Sequence, residues 1–167
     1  MNDFKTLYKA GRVKRFHTTD VPAQELGQHS WGVAMIVYAI YPKGEGFPEV
    51  PNRLMMAALT HDLAETETGD IPAPAKWANP KLDKLLGRLE KDFNERMGID
   101  QFFKDLSAKE KHILAWADMF ELCLYSMKHA LVDNQDALKI SRNGFEALSD
   151  MGFPTTESEA LYEHFFR

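Results

Sequence analysis

Cysteine is almost missing from this chain of 167 residues, in which Cys123 stands alone. No intramolecular disulfide can form, and no cysteine cluster exists for a zinc knuckle or an iron–sulfur site. A reducing compartment is compatible with that. Long hydrophobic runs are missing too. The longest apolar stretch, from Val33 to Tyr41, is too short to span a bilayer. The N-terminus up to Phe16 lacks the apolar core of a secretory signal. A cytoplasmic protein without membrane contact is expected. Positive charge is in deficit, with 20 Lys and Arg against 25 Asp and Glu and a net charge of -5. That argues against a broad surface for polymeric nucleic acid. A small anionic substrate is not excluded, because a bound divalent cation makes a local positive site without a basic patch. Repeats, low-complexity tracts and dividing linkers are absent. The length suits one core, so residues 1–167 are expected to form one domain.

What is present reads as helices. From Glu25 to Ile40, the residues Val33, Ile36, Val37 and Ile40 fall at helical spacing, with His29 one turn earlier on the same stripe. Tyr41-Pro42-Lys43-Gly44-Glu45-Gly46 breaks that pattern. Pro51 suits the first position of a second helix, which carries Leu54, Met55, Ala58 and Leu59 and is expected to run through His61-Asp62-Leu63-Ala64-Glu65. Gly69, Pro72 and Pro74 predict a stiff loop from Thr68 to Lys76. Asn79 then caps a helix with Pro80 at its first position, an apolar stripe of Leu82, Leu85, Leu86, Leu89 and Phe93, and Gly98 as its stop. Ser107 and Glu110 form a capping box ahead of Ile113, Leu114, Ala117, Leu122 and Tyr125. A helix covers Asp136 to Leu148, and Thr156 with Glu159 resembles a last capping box, before Leu161 and Phe165. No convincing strand pair is visible. The reading is an all-α bundle of about six helices.

The chemistry begins at His61-Asp62. Neighbours on a helix project about 100° apart, so both reach one point only if it lies between them, as a metal ion would. A lone His-Asp dipeptide is a weak signal, but Leu59 and Leu63 bracket this one. Glu65, four residues after His61, shares its face and reads either as a general base or acid for a water or as a solvated helix-end glutamate. His29 alone reads more simply as a core histidine. Asp118 sits between Leu114 and Leu122 at helical spacing, and a buried carboxylate needs a cation or strong hydrogen bonds. Lys14, Arg15 or Lys76 would serve, and so would a metal. Together His29, His61, Asp62 and Asp118 make a mixed nitrogen–oxygen set from three helices, suited to a divalent ion such as Mn, Co, Fe or Zn. Gly69 permits close approach. Asp70 could bind a sugar hydroxyl, a water or a second metal, and Lys76 could neutralise a phosphate or simply be solvated. Arg15-Phe16-His17 joins a cation to an aromatic face, as a phosphate-and-base contact or as a core Phe beside a surface Arg.

The sequence His29 … His61-Asp62 … Asp118 resembles the H…HD…D signature of the HD-domain phosphohydrolase superfamily. Gln28-His29-Ser30, His61-Asp62-Leu63-Ala64-Glu65 and the segment from Thr68 to Lys76 are similar to its 5'-deoxynucleotidase branch. That branch includes small phage proteins that hydrolyse dATP. The likeness runs from Gly11 to the helix carrying Asp118. It implies an all-α HD-domain bundle. His29, His61, Asp62 and Asp118 would be the ligands of a divalent ion (Co, Mn, Zn, Mg or Fe), with a second ion near Glu65 and Asp70 left open. Glu65 would be the catalytic carboxylate, with Asp70 beside water and phosphate. Arg15 and Lys76 would face phosphate. Phe16, where the family often has tryptophan, would stack on the base, and Thr18 would border it. The resemblance also implies a homo-oligomer, a dimer or larger closed assembly, to which Trp31, Trp77, Trp116, Phe165 and Phe166 could contribute.

The implied reaction is hydrolysis of a deoxynucleoside monophosphate to deoxynucleoside and phosphate. The alternative is a triphosphohydrolase of the dATP type. A non-catalytic nucleotide-binding module would have lost a ligand or Glu65, and none is lost. A purely structural helical oligomer would bind no metal.

Overall fold

The computed structural model describes residues 4–43, 46 and 49–166, with the side chain of residue 166 not described. Six of its helices span nine residues or more: α2 (Leu26–Ile40), α3 (Asn52–Thr60), α6 (Pro80–Met97), α8 (Ala108–Ala130), α9 (Gln135–Met151) and α10 (Thr156–Phe166). Four short ones join them: α1 (Phe4–Ala10), α4 (Glu65–Thr68), α5 (Ala73–Ala78) and α7 (Gln101–Lys104). The all-α expectation therefore holds. The one departure is a minimal antiparallel pair, β1 (Lys14–Arg15) with β2 (Gln24–Glu25), in register Lys14 with Glu25 and Arg15 with Gln24. Two-residue strands are too short to show alternation in a sequence. A Lys14–Glu25 ion pair of 2.7 Å joins them, and Leu26 N donates to Val13 O at 2.9 Å.

The main core lies between α2, α3, α8, α9 and α10. Val33, Val37, Ile40, Leu54, Ala57, Ile113, Ala117 and Leu148 fill it, with Trp116 stacked on Phe120 at a centroid distance of 4.7 Å. Trp116 is fully buried, so it is removed from the candidate interface residues, whereas Trp31 and Trp77 are 62% and 71% exposed. Phe165 is also exposed. Phe166 lies outside the described side chains, and Gly44 and Glu45 of the predicted break lie outside the described residues. A second cluster of Ala64, Phe93, Met97 and Ile99, with Leu7 and Leu63 against it, ties α1 and the turn after α3 to α6. Among the described residues no helix is long and apolar enough to cross a membrane.

The helix ends mostly follow the predicted signals. Asn79 Oδ1 accepts from Leu82 N at 3.2 Å, Gly98 closes α6 in the left-handed region at φ 69°, and Ser107 and Glu110 form the reciprocal capping box. Pro51 is the cap of α3 and not its first residue. The last box sits one residue earlier than Thr156 and Glu159: Ser158 N donates to Thr155 Oγ1 and Thr155 N to Ser158 Oγ, at 3.0 and 3.1 Å. Thr155 is selected because it is buried and donates to Ile40 O at 2.8 Å, tying α10 to the end of α2. The stripe on α6 is only half used. Phe93 is buried, but Leu85 and Leu89 are 51% and 41% exposed, since the second core reaches only the C-terminal half of this helix. Leu59, predicted to flank a buried turn, is exposed as well.

Helices α8 and α9 touch where Gly144 meets Cys123. A Cβ on Gly144 would stand 2.5 Å from Cys123 Sγ, inside contact distance. Burial also pushes the Cys123 thiol up to about 12. We predict that Gly144→Ala, although it raises helix propensity by about 1 kcal/mol, lowers stability by about 1–3 kcal/mol through overpacking. Adding Cys123→Ala should recover most of the loss. Chemical denaturation of both variants checks this, and a Gly144→Ala protein as stable as wild type would refute the contact.

Candidate active site

Three elements bring the predicted ligands to one point. Helix α2 carries His29, fully buried, and α8 carries Asp118. His61 and Asp62 follow α3, which stops at Thr60. The predicted continuous helix through Glu65 is thus corrected to a tightened turn. His61 Nδ1 donates to Ala58 O at 2.9 Å, and backbone bonds from Leu63, Glu65, Thr66 and Glu67 each reach back three residues. Such bonds wind the chain more tightly than an α-helix.

The remaining nitrogens and oxygens converge. His29 Nε2 and His61 Nε2 are 3.2 Å apart. Asp118 Oδ1 lies 3.1 Å from the first and 3.8 Å from the second, and Asp62 Oδ2 lies 3.7 and 3.3 Å from them. Donors about 2.0–2.2 Å from one ion stand roughly this far apart. His29, His61 and Asp62 satisfy on their own the geometry of a metal-holding group. Two imidazole nitrogens facing each other, with their Nδ1 partners already engaged, leave a place for a cation. Asp118 keeps a 42% exposed side chain and is not the buried stripe residue predicted, because the buried face of α8 is Ile113, Trp116, Ala117 and Phe120. It contacts the two imidazoles, and Lys14 is paired with Glu25 instead.

The electrostatics describe a site that attracts positive charge. Burial alone would lower the His61 pKa, but Asp62 and Asp118 outweigh it and hold it well above its ordinary value. The protein crowded around Asp118 would raise it by desolvation although its side chain is part-exposed, but its contacts with His29 and His61 hold it well below the usual carboxylate range. Asp62 is lowered in the same way, with burial outweighed by His61. Glu65 goes the other way. Burial first, then the charges of Asp62 and Asp70, push it up to about 8 against Arg15 and Lys76.

Around this centre lies a cavity lined by His61, Asp62, Glu65, Gly69, Lys76, Leu86 and Glu90. Lys76 belongs to α5, a helix where a loop was expected; Pro74 falls in its first turn, where a missing N–H does no harm. Gly69, at φ 70°, turns the chain from α4 toward the cavity. Asp70 Oδ2 stands 3.7 Å from His17 Nδ1, which brings the loop to the segment after β1. Arg15 Nη1 and Glu65 Oε2 are both buried without a hydrogen-bond partner among the described residues. Phe16 has φ 63°, uncommon for a bulky residue, in a turn closed by Thr19 N donating to Phe16 O at 3.1 Å. Its ring stacks on Tyr125 at 5.2 Å and 13°. Thr18, in the same turn, is exposed.

Three contributors were missed. Glu90, on α6, also lines the cavity although much of its side chain is exposed, and partial desolvation and the charge of Asp62 raise its pKa. Tyr125 was read as an apolar helix position, but it backs Phe16 and donates to Pro22 O at 3.0 Å. Glu121 contacts His29 from α8. Only Glu121 had a visible signal, one carboxylate a helical turn after another.

The profile of the YfbR-like 5'-deoxynucleotidase family matches residues 3–166. The chain belongs to that family. A 5'-deoxynucleotidase of Pasteurella multocida (strain Pm70) is 30% identical over 125 residues, covering 64% of this chain and 61% of that protein. One from Vibrio cholerae is 31% identical over 80 residues, covering 46% and 41%. The chain thus spans about three fifths of the length of the curated relative matched over the longer stretch. In three dimensions it superposes on the HD phosphohydrolase DatZ of cyanophage S-2L, a structure bound to dA and one catalytic Zn2+ ion. The TM-score is 0.74 at 19% identity, covering 99% of this chain and 96% of that one. A Pyrococcus horikoshii protein gives 0.65 at 22% identity, over 91% and 98%. The fold is the HD-domain helical fold.

A raised carboxylate pKa means that the folded state holds a proton the unfolded chain releases. Stability therefore falls as pH rises from the ordinary Glu value toward about 8. We predict that in the metal-free protein Glu65→Gln removes this loss. The variant should gain on wild type between pH 5 and pH 8, by on the order of a few kcal/mol at the upper end. Denaturation at both pH values measures it, and a difference that does not change with pH would count against the burial of Glu65.

Proposed function

We propose that this protein is a metal-dependent phosphohydrolase that converts a deoxynucleoside monophosphate and water into deoxynucleoside and phosphate. The observation that carries this reading is the convergence of His29 Nε2, His61 Nε2, Asp62 and Asp118 beside the raised carboxyl of Glu65. Family membership supports it, and so does a fold neighbour whose structure is bound to dA and one catalytic Zn2+ ion.

His29, His61, Asp62 and Asp118 would hold a divalent ion of the kind their donor set favours, with Co, Mn, Zn, Mg and Fe all eligible. Such an ion supplies Lewis-acid charge at the scissile phosphate. Arg15, with a buried and unpartnered Nη1, binds a phosphate oxygen, and Lys76 balances charge from the cavity wall. Phe16 offers the base the face that Tyr125 leaves open, with Thr18 at the rim. Glu65 and Asp70 orient the water. Its oxygen bonds to phosphorus as the bond from phosphorus to the 5' oxygen breaks, and Glu65 takes the water's proton and returns one to the leaving 5' oxygen.

The second reading is a triphosphohydrolase of the dATP type. Bound dA in the cyanophage neighbour is a product of either reaction, so it does not choose between them. The lining of the cavity favours the monophosphate. Lys76 is its one Lys or Arg among the described residues, against the carboxyls of Asp62, Glu65 and Glu90, and a triphosphate would bring more negative charge. The exposed Trp31 and Trp77 support a homo-oligomer, and a deoxynucleotide substrate is compatible with work in the cytoplasm.

Each dNMP and dNTP, incubated with the full chain loaded with Mn, Co, Mg or Zn, is separated by chromatography. Monophosphates should yield deoxynucleoside and phosphate, and Glu65→Ala should lower kcat by about 10²–10⁴-fold. Release of triphosphate from dNTPs alone would replace the first reading by the second. No turnover of either class would end both.

A further inference from the structure

Glu121 is a buried carboxylate that the proposed mechanism does not use. It stands one helical turn after Asp118 on α8 and points back at α2 and β2. Its Oε2 lies 2.5 Å from His29 Nδ1, and its Oε1 accepts from Gln24 Nε2 at 2.6 Å. Gln24 is itself buried. The space for this carboxylate exists because position 32 is glycine: a Cβ there would stand 2.8 Å from Glu121 Cγ and 3.2 Å from its Oε1. His61 is anchored differently, through a neutral backbone carbonyl, Ala58 O. The two imidazoles thus face one point with unequal partners behind them.

We propose that Glu121 is a positioning residue of the metal centre, holding His29 as the Nδ1–H tautomer so that the Nε2 lone pair faces the ion, with Gln24 and Gly32 holding Glu121 in turn. The assignment rests on the metal reading above. A carboxylate behind an imidazole fixes its orientation and makes it a stronger donor, and such outer partners are worth about 10- to 100-fold in metal affinity. The same contact gives the two-residue sheet a role: β2 delivers Gln24 to the free oxygen of Glu121.

The test uses Co2+ alone, titrated into the full chain against a chelator, with no nucleotide present. Glu121→Gln keeps the shape and removes the charge, and it should bind Co2+ about 10- to 100-fold more weakly. Gln24→Ala should shift affinity the same way by less. Nitrogen NMR of the metal-free protein should show His29 in one tautomer in wild type and in a mixture in Glu121→Gln, a change that a merely structural role would not produce. Should the Glu121 variants not fold, Gly32→Ala decides, because it keeps every ligand and displaces only the carboxylate. Variants that fold and bind Co2+ within about two-fold of wild type would overturn the proposal. A wild-type chain that bound no Co2+ would overturn it together with the metal reading, whereas Co2+ binding without nucleotide turnover would leave it standing and remove only the reaction.

Discussion

Two imidazoles turn the same nitrogen toward one point because their other nitrogens are already engaged, and the rest of the chain is arranged around that meeting. His29 Nδ1 is held by Glu121 and His61 Nδ1 by Ala58 O, which leaves the two Nε2 atoms 3.2 Å apart. Facing lone pairs repel unless a proton or a cation lies between them. The raised pKa of His61 is the proton's answer, and the carboxylates of Asp62 and Asp118 make a divalent ion the better one. Metal and proton thus compete for the same electrons, as expected wherever a ligand must be deprotonated.

The backbone serves this convergence in two places. After Thr60 the chain tightens, because the His61 side chain takes the Ala58 carbonyl and later bonds reach back three residues. Neighbours in a helical turn project about 100° or more apart, so His61 and Asp62 meet only at a point between them, and there His61 Nε2 and Asp62 Oδ2 stand 3.3 Å apart. On the other side, Gly32 allows α8 to bring Glu121 against α2.

How much was legible follows from how local each signal is. Asn79, Gly98 and Ser107 act within one turn of themselves, and all three end or begin helices where predicted. His29, His61, Asp62 and Asp118 drew attention as polar groups at apolar spacing, and the structure brings their side chains together, although Asp118 is part-exposed and off the buried face of α8. Leu85 and Leu89 misled, since a stripe shows that a helix has an apolar face and not that a neighbour covers it. Glu121, Tyr125 and Glu90 lie far along the chain from their partners; the contact between Glu121 and His29 joins residues 92 apart. The left-handed turn at Phe16 had no glycine to announce it.

An acidic protein that binds an acidic substrate needs its positive charge concentrated. The cavity carries one Lys or Arg, Lys76, against Asp62, Glu65 and Glu90, and Arg15 approaches with a buried and unpartnered nitrogen. Without a cation this wall would repel phosphate. With a divalent ion on His29, His61, Asp62 and Asp118, the local sign reverses where the ester bond is to break, and the surrounding carboxyls become places to put the protons that hydrolysis moves. Glu65 is poised for that because burial and its acidic neighbours have already lifted its affinity for a proton to about 8, and an ion beside it would bring that value down. On the proposed reading, a substrate with further phosphates would add negative charge to a lining in which Lys76 is the one Lys or Arg among the described residues, against Asp62, Glu65 and Glu90.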